Sequence, residues 1–201
     1  MIESDQSIIQ KILQGEKKAY RLLVERHQAR ALALALRMMK NKEEAEEALQ
    51  DSFVRAFRAL PQFELRSAFP TWFYRIVYNT CLTRLSRSNR ELYSSLHEEK
   101  DQAVQVSSSD LPPDLALESQ EIQNIVEEEI LRLPVKYGVI LTLFFVQELS
   151  YGEICNTTSL PLATVKVRLF RGRVQLRDAL VKRLNDAPVQ SSRKLYQENS
   201  Q

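Results

Sequence analysis

A basic segment near the carboxyl end of the chain, residues 160–177, has the residue types and spacing for binding a polyanion. It contains no acid and five cations: Lys166, Arg168, Arg171, Arg173 and Arg177. Four further positions recur at helical spacing and would form one buried face: Val165, Leu169, Gly172 and Leu176,. Clustered cations release counterions from nucleic-acid phosphates, so the pattern favours a nucleic-acid contact. A solvated amphipathic helix is the alternative interpretation.

The elements around this segment predict a helix-turn-helix. Ser150 is placed to cap a helix of about two turns, residues 157–159 form a tight turn, and Pro161 opens a second helix that runs to about Leu184,. In such a motif the second helix enters the DNA major groove, where arginine can bond both acceptors of guanine. The stripe that would face the groove consists of Lys166, Phe170 and Arg173, with Arg168 and Arg171 at its margins.

Charge is distributed unevenly along the 201 residues. Residues 1–90 hold 16 cations against 10 acids, residues 91–129 hold 1 against 11, and residues 130–201 hold 11 against 5. Residues 91–114 are also polar, rich in serine and without helical periodicity,. We therefore expect an all-α protein with two small helical domains, 1–90 and 115–184, joined by a flexible acidic linker over 91–114. A polar tail, 185–201, follows.

The first segment predicts four helices. The first begins at Ser4, the second spans Ala19 to Met39, the third begins at Asn41 with Glu44 three residues on, and the fourth has Pro70 in its first turn,. In the second domain, residues 139–146 are apolar enough for a buried strand, but no partner strand is predicted, so a helix is favoured,.

Nothing in the sequence indicates an enzyme or a cofactor. Cys81 and Cys155 lack the spacing of a metal site, and neither His27 nor His97 has the Ser/Asp or Cys partner in sequence that would indicate a catalytic histidine,. His27 is most simply part of a helix surface. The start of the chain is polar, without the pattern of a signal peptide, and no apolar run approaches the length of a membrane span,. We expect a cytoplasmic protein that makes no membrane contact of its own and binds no metal or cofactor.

Two stretches resemble the extracytoplasmic-function (ECF) sigma factors of bacterial RNA polymerase. Residues 133–180 resemble the family's region four, through Leu133-Pro134, Leu149-Ser150-Tyr151, Glu153-Ile154, Pro161 and Thr164-Val165-Lys166. Residues 46–87 are similar to region two, through Glu47, Gln50, Asp51 and Phe53, then Phe63, Ser67, Phe69, Thr71, Trp72, Tyr74-Arg75-Ile76 and Asn79. The resemblance covers about residues 5–183 in the family's order.

The resemblance implies three contact surfaces. Core polymerase, through its β′ clamp helices and β flap, would be a partner, with Glu47, Gln50, Asp51 and Phe53 in contact with the clamp helices. The melted −10 element would be bound by Phe63, Arg66, Ser67, Phe69, Thr71, Arg75 and Asn79. The −35 element would be bound by Thr164, Lys166, Arg168, Phe170, Arg171, Arg173 and Arg177. Promoter DNA and an anti-sigma factor, in a stress or envelope response, are the other partners implied.

Two other functions remain open at this point. A conventional helix-turn-helix regulator would bind a two-fold operator without being a polymerase subunit, and a helical adaptor would contact only protein. The sequence also departs from the family pattern. Glu64 and Leu65 replace a loop that usually contains glycine, Gly172 replaces alanine at a cost of about 1 kcal/mol in an exposed helix, and Gly138 and Phe144 stand where arginine is frequent.

Overall fold

The computed structural model describes residues 3–65, 67–97 and 120–186. Every regular element in these ranges is helical, which confirms the all-α prediction. The α-helices are α1 (Asp5–Leu13), α2 (Tyr20–Met39), α3 (Lys42–Ala59), α4 (Phe69–Ser88), α5 (Arg90–His97), α6 (Gln120–Arg132), α7 (Val135–Leu141), α8 (Tyr151–Thr158) and α9 (Leu162–Asp186). Short 3₁₀ turns lie at Lys17–Ala19 and Leu60–Gln62, and a π-helical turn, Thr142–Val146, continues α7.

Side-chain caps start two helices of the first unit, α1–α5, where the sequence predicted them. The Ser4 hydroxyl accepts the backbone N–H of Ser7 at 3.2 Å, and the Asn41 side chain accepts that of Glu44 at 3.0 Å,. These bonds satisfy backbone groups that the helix leaves unpaired at its first turn. At the other end of α2, Lys40 adopts a left-handed conformation with φ of 57° and turns the chain into α3. The predicted starts of α1 and α3 are therefore confirmed.

Helix α5 was missed by the sequence analysis. The prediction that residues 91–114 lack regular structure is wrong for their first part, because Arg90–His97 is helical. The Asn89 side chain accepts the backbone N–H of Leu92 at 3.0 Å and caps this helix. Leu96 is only 1% exposed and joins the core. The rest of the predicted linker, from residue 98, lies outside the described residues, as does most of the tail.

In the second unit, α6–α9, the helix-turn-helix forms as predicted. Ser150 and Glu153 make a complete capping box at the start of α8, and Ser159, at φ of 60°, ends that helix before α9 begins,. Gly172 is buried rather than exposed: a Cβ there would lie 3.0 Å from Leu141 Cδ1. Glycine at this position lets α9 approach α7 closely, so its role is packing as well as a cost in helix propensity.

The two units pack against each other in this structure. Helix α4 contacts α8, α2 contacts α7 and the π-helical turn, and α5 contacts α7. Their buried apolar side chains form one continuous cluster. Charge and periodicity predicted two helical domains but gave no indication of this contact. Within the described ranges, no helix is long and apolar enough to cross a membrane.

Candidate polymerase and promoter interfaces

The predicted polymerase contact residues lie on helix α3, and Arg84 of α4 reaches across to them. Glu47, Gln50 and Asp51 are exposed, and we call them the acidic patch. Arg84 donates to Glu47 at 2.9 Å and to Asp51 at 2.6 Å, and these two hydrogen bonds raise the pKa of its guanidinium. The fourth predicted residue, Phe53, is half-buried and stacks on Phe73 with ring centroids 4.6 Å apart. Phe53 therefore has a packing role in this structure.

Arg84 is a residue that sequence reasoning missed. It lies seven residues after Val77 and three after Cys81, both fully buried, so helical periodicity places it at the border of the buried face of α4,. That position directs the side chain towards the neighbouring helix rather than into water. An open groove of about 410 Å³ between α3 and α4 is lined by this arginine and by both carboxylates of the patch.

The predicted −10 residues divide into a buried group and an exposed group. Phe69 is 3% exposed and stacks on Phe73, with ring centroids 5.8 Å apart. Phe63 is half-buried, and its ring centroid lies 4.8 Å from that of Trp72. Ser67, Arg75 and Asn79 are exposed on the loop and on α4, whereas Arg66 lies outside the described residues. Ser67, Arg75 and Asn79 are therefore the predicted −10 residues that a DNA strand could reach in this structure.

Thr71, another predicted −10 residue, is buried by the second unit. It is 4% exposed, and its hydroxyl donates to the Glu153 carboxylate at 2.7 Å. Burial raises the pKa of Glu153, but the hydrogen bonds from Thr71 and Ser150 outweigh it, so the net shift is downward. The structure thus joins a predicted −10 contact to the first helix of the helix-turn-helix.

The loop before α4 contains a strained backbone position. Leu65 has φ of 55°, the left-handed region that glycine tolerates without steric cost,. This is the stretch in which the resembling family usually has glycine, so the departure noted in the sequence has a conformational cost of about 1–2 kcal/mol. A groove of about 320 Å³ beside Leu65 is lined by Asp5 and Arg26, among others.

His27 is buried, so its assignment to a helix surface is wrong. It is 6% exposed, and its Nε2 lies 2.9 Å from Asp5 Oδ2, while its ring lies 5.3 Å from that of Phe69. Burial lowers the pKa of His27 below its usual value, against the opposing effect of Asp5. The signal was present in the sequence, because His27 falls four residues after Leu23 and four before Ala31, both fully buried.

Helix α9 presents three of the predicted −35 residues on one open face. Lys166 and Phe170 are partly exposed, Arg177 is exposed, and helical geometry of about 100° per residue places all three within about 40° of each other,. We call these three residues the reading stripe. Arg177 also forms an ion pair with Asp178 at 2.9 Å. Arg171 is half-buried and lies about 140° around the helix from Lys166,.

The other predicted −35 residues are buried in this arrangement. Arg168 is fully buried and donates to the Leu96 carbonyl at 3.0 Å, so α5 of the first unit covers it. Arg173 is 8% exposed and lies over the Phe144 ring, 4.7 Å from its centroid,. Thr164 is also 8% exposed. Phe144, which stands where the family often has arginine, therefore holds Arg173 within the second unit itself.

Comparison with known proteins identifies the family. Residues 23–91 match the family model described as Sigma-70 region 2, and residues 123–176 match Sigma-70, region 4. The ECF RNA polymerase sigma factor SigW of Bacillus subtilis (strain 168) is 31% identical over 176 residues, covering 86% of this chain and 94% of that protein. This chain belongs to the ECF sigma factor family.

Other relatives support the same conclusion for this sigma factor. RNA polymerase sigma-H factor of Pseudomonas aeruginosa is 34% identical over 192 residues, covering 92% of this chain and 98% of the relative. The ECF RNA polymerase sigma-E factor of Escherichia coli (strain K12) is 32% identical over 174 residues, covering 85% and 91%. The conventional regulator and the adaptor are therefore set aside.

Two solved structures share the fold of this sigma factor. CnrH in complex with the cytosolic domain of CnrY has a TM-score of 0.57 at 22% identity, covering 90% of this chain and 99% of that one. The sigma factor RpoE in complex with the anti-sigma factor NepR, from Bartonella quintana, has a TM-score of 0.58 at 20% identity, covering 81% and 97%. Among the residues described for the present chain, no cluster of three metal-ligating side chains occurs.

Proposed function

We propose that this sigma factor binds bacterial core RNA polymerase, recognises the −35 and −10 promoter elements, assists promoter melting and directs transcription initiation. The observation that carries the proposal is the presence of both sigma-70 modules in one chain, in order, with a formed helix-turn-helix in the second. The expected absence of catalysis agrees with this role, because a sigma factor positions the polymerase and leaves the chemistry to the core enzyme.

Core polymerase would contact the acidic patch. Glu47 and Asp51 are 67% and 50% exposed at their side chains although Arg84 binds both. A basic partner can therefore reach carboxylate oxygens that the arginine leaves accessible. The patch lies on a segment with an excess of cations, which would repel such a partner elsewhere,. This suits the β′ clamp helices, and the second unit would meet the β flap.

The −10 element would be held as a single strand by Ser67, Arg75 and Asn79. Arg75 and Asn79 lie one turn apart on the exposed face of α4, so a cation and an amide face the same side,. On a single DNA strand, arginine side chains contact the backbone phosphates, and amide and hydroxyl groups form hydrogen bonds with unstacked bases. Phe63 and Arg66 belong to the same proposed surface, while Phe69 would support it from below.

The −35 element would be read by the reading stripe in the major groove. Lys166 and Arg177 supply cations for base edges and phosphates, and Phe170 supplies an apolar contact for a thymine methyl group. Arg171 lies about 140° around the helix from Lys166 and therefore outside this stripe,. Arg168 and Thr164 would join the contact only when the first unit moves away, because Arg168 is covered by α5 in the present structure. Arg173 would stabilise α9 through Phe144.

Control by an anti-sigma factor, in a stress or envelope response, completes the proposal. Its support is that both structural neighbours were solved as complexes, CnrH with the cytosolic domain of CnrY and RpoE with the anti-sigma factor NepR. The exposed parts of the acidic patch and of α9 are surfaces that such an inhibitor would have to cover in order to prevent polymerase and promoter binding.

In vitro transcription tests the proposed function. Core polymerase and genomic fragments are incubated with and without the full chain, and start sites are mapped. We expect discrete new start sites that share spaced −35 and −10 motifs. The fragments 1–90 and 115–201 serve as controls, and neither should direct transcription alone. Specific transcripts from either fragment, or the absence of any transcript that depends on the chain, would refute the proposal.

A further inference from the structure

Arg37, in the middle of the contact between the two units, is a fully buried cation on α2. Its Nη1 donates to the Leu131 carbonyl at 3.4 Å, and its Nη2 donates to the Leu133 carbonyl. Leu131 lies in the last turn of α6 and Leu133 directly follows its last residue, so both carbonyls are at the helix end where the dipole favours a positive charge,. No carboxylate in the described ranges pairs with Arg37, so main-chain oxygens are the acceptors that hold this guanidinium.

Gly138 of α7 packs directly against the side chain of Arg37. A Cβ built at residue 138 would overlap the Nε, Cζ and Nη2 atoms of the arginine. The side chain that would have to move is not at a free surface, because Arg37 has no exposed area. Even the smallest side chain at residue 138 is therefore incompatible with the observed position of Arg37.

Arg30, two turns earlier on α2, forms the exposed edge of the same contact. It pairs with Glu148 at 3.1 Å, and its carbonyl accepts the side-chain N–H of Gln147 at 2.5 Å. Arg30 and Glu148 are half or more exposed, and exposed pairs of this kind contribute little stability,. The contacts of the buried Arg37 therefore form the centre of this interface, and the contacts of Arg30 lie at its solvent-exposed edge.

The contact covers two of the residues predicted from the sequence to bind promoter DNA. Thr71 is bonded to Glu153, and Arg168 is bonded to the Leu96 carbonyl, so one residue of each proposed DNA surface is engaged by the opposite unit. We propose that Arg37, seated on Gly138 and on the carboxyl-terminal carbonyls of α6, is the latch that holds this chain in a closed form unable to engage both promoter elements. The closed form itself follows from the contacts, while its effect on DNA rests on the proposed function.

The chemistry of the latch makes it reversible. Burial lowers the pKa of Arg37 to about 10, because a cation removed from water loses hydration that two carbonyls only partly replace,. Its Nε has no hydrogen-bond partner among the described residues. A buried charge that is incompletely compensated costs free energy, which limits how strongly the closed form is favoured. Binding of core polymerase to the open form would then be sufficient to shift the population.

The test compares two glycines of the second unit. Gly138→Ala should expel Arg37, whereas Gly152→Ala places a methyl group on an exposed residue of α8 with nothing within 4 Å. Spin labels at Arg58→Cys and Lys182→Cys, both exposed positions on opposite units, report the distance between the units. The Cys155→Ser background removes the half-exposed native thiol, and Cys81 is buried.

We expect Gly138→Ala to raise the ratio of open to closed molecules by about 10- to 100-fold, the range for loss of hydrogen bonds to a charged group. Gly152→Ala should retain the distance distribution of the parent chain. Arg37→Ala should open the chain to a similar extent, and the double variant should be no more open than Arg37→Ala alone, because both changes break one contact. An unchanged distance in folded Gly138→Ala, or additive opening in the double variant, would overturn the latch.

A second measurement addresses the consequence for DNA. Duplex fragments carrying the promoters mapped by in vitro transcription are titrated with free chain and with chain bound to core polymerase. Gly138→Ala should bind the free duplex at least several-fold more tightly than the parent chain, and the two holoenzymes should bind alike. Because the distance measurement needs neither DNA nor polymerase, failure of the latch and failure of the proposed function are distinguishable. Opening without tighter DNA binding would overturn the inhibitory role.

Discussion

Replacing Asp51 with arginine reverses one charge of the acidic patch and also breaks an internal ion pair. Asp51 is half exposed and bonded to Arg84 at 2.6 Å. An exposed pair contributes about 0.2–1 kcal/mol, and two cations about 4 Å apart near water repel by about 1 kcal/mol. Asp51→Arg should therefore lower the free energy of unfolding by about 1–2 kcal/mol, which leaves the chain folded.

The effect on polymerase binding should be larger. A reversed charge at the centre of a contact typically costs about 2–4 kcal/mol, so we expect core affinity to fall by at least about 30-fold, and association to be lost when Gln50→Ala is added. Glu25→Arg is the matched control, because it makes the same charge change on an exposed residue of α2 that is likewise paired with an arginine, Arg21, outside the acidic patch. Its effect on core affinity should be small.

The double variant Asp51→Arg, Arg84→Glu separates folding from binding. Reversing both charges restores an ion pair between positions 51 and 84 but sets the new carboxylate at position 84 against Glu47, so denaturant unfolding should recover only part of the loss and stay about 1 kcal/mol below the parent chain,. The charge that faces the polymerase remains reversed at position 51, so core binding, measured by co-purification and by fluorescence titration, should stay weak. Recovery of core binding in the double variant would show that binding depends on the ion pair between positions 51 and 84 and not on a negative charge at position 51, and would refute the proposed contact.

Three further changes test other parts of the molecule. Lys166→Ala, in the reading stripe, should cost about 1–3 kcal/mol and relax specificity at one −35 position. Arg177→Ala should instead weaken all sequences equally and lower the salt slope by about one unit. Equal losses on all single-base variants for Lys166→Ala would make it a phosphate contact. Folding lowers the pKa of His27, so the unfolded chain binds more protons and the free energy of unfolding decreases as the pH falls below 6.5, the unperturbed pKa,. In His27→Gln the denaturant midpoint should therefore change less between pH 7 and pH 5 than in the parent chain. The same pH dependence in both proteins would contradict this. Leu65→Val should lower the denaturant midpoint relative to Leu65→Gly, since a β-branched residue tolerates positive φ poorly; equal midpoints would argue against strain in the loop.

Local signals in the sequence were sufficient for most of the fold. Hydroxyl and amide caps at Ser4, Asn41 and Ser150 mark helix starts because they bond backbone groups within three residues,. Helix α5 was missed because its eight residues offer too few apolar positions to establish a period; Leu92 and Leu96 are one pair one turn apart. Their burial depends on packing against α4 and α7, which is not encoded locally.

The placement of charged residues was the least predictable part of the candidate site. Cations on an amphipathic helix are normally exposed, so their residue type argued against complete burial of Arg37 and Arg168, even though Arg168 lies three residues after the buried Val165,. Each becomes buried because a segment distant in sequence supplies main-chain carbonyls: Leu133 for Arg37 and Leu96 for Arg168. Arg84 and His27, in contrast, lie at helical spacing from buried residues, so the sequence already indicated that their side chains face a neighbouring helix,. Long-range acceptors, and not helix pattern, account for what the sequence could not predict.

The close approach of α9 to α7 at Gly172 has a consequence for how promoter preference can evolve. One face of α9 lies against Leu141, so an alanine at position 172 would require the Leu141 side chain to move by a few tenths of an ångström, and larger residues would require more. The opposite face, with Lys166, Phe170 and Arg177, has no such restriction. Substitutions on that face can change which bases are preferred without disturbing the packing beneath. A lineage of duplicated chains could therefore acquire separate sets of target genes through a few exchanges on one helix face, while the small residue at position 172 is retained.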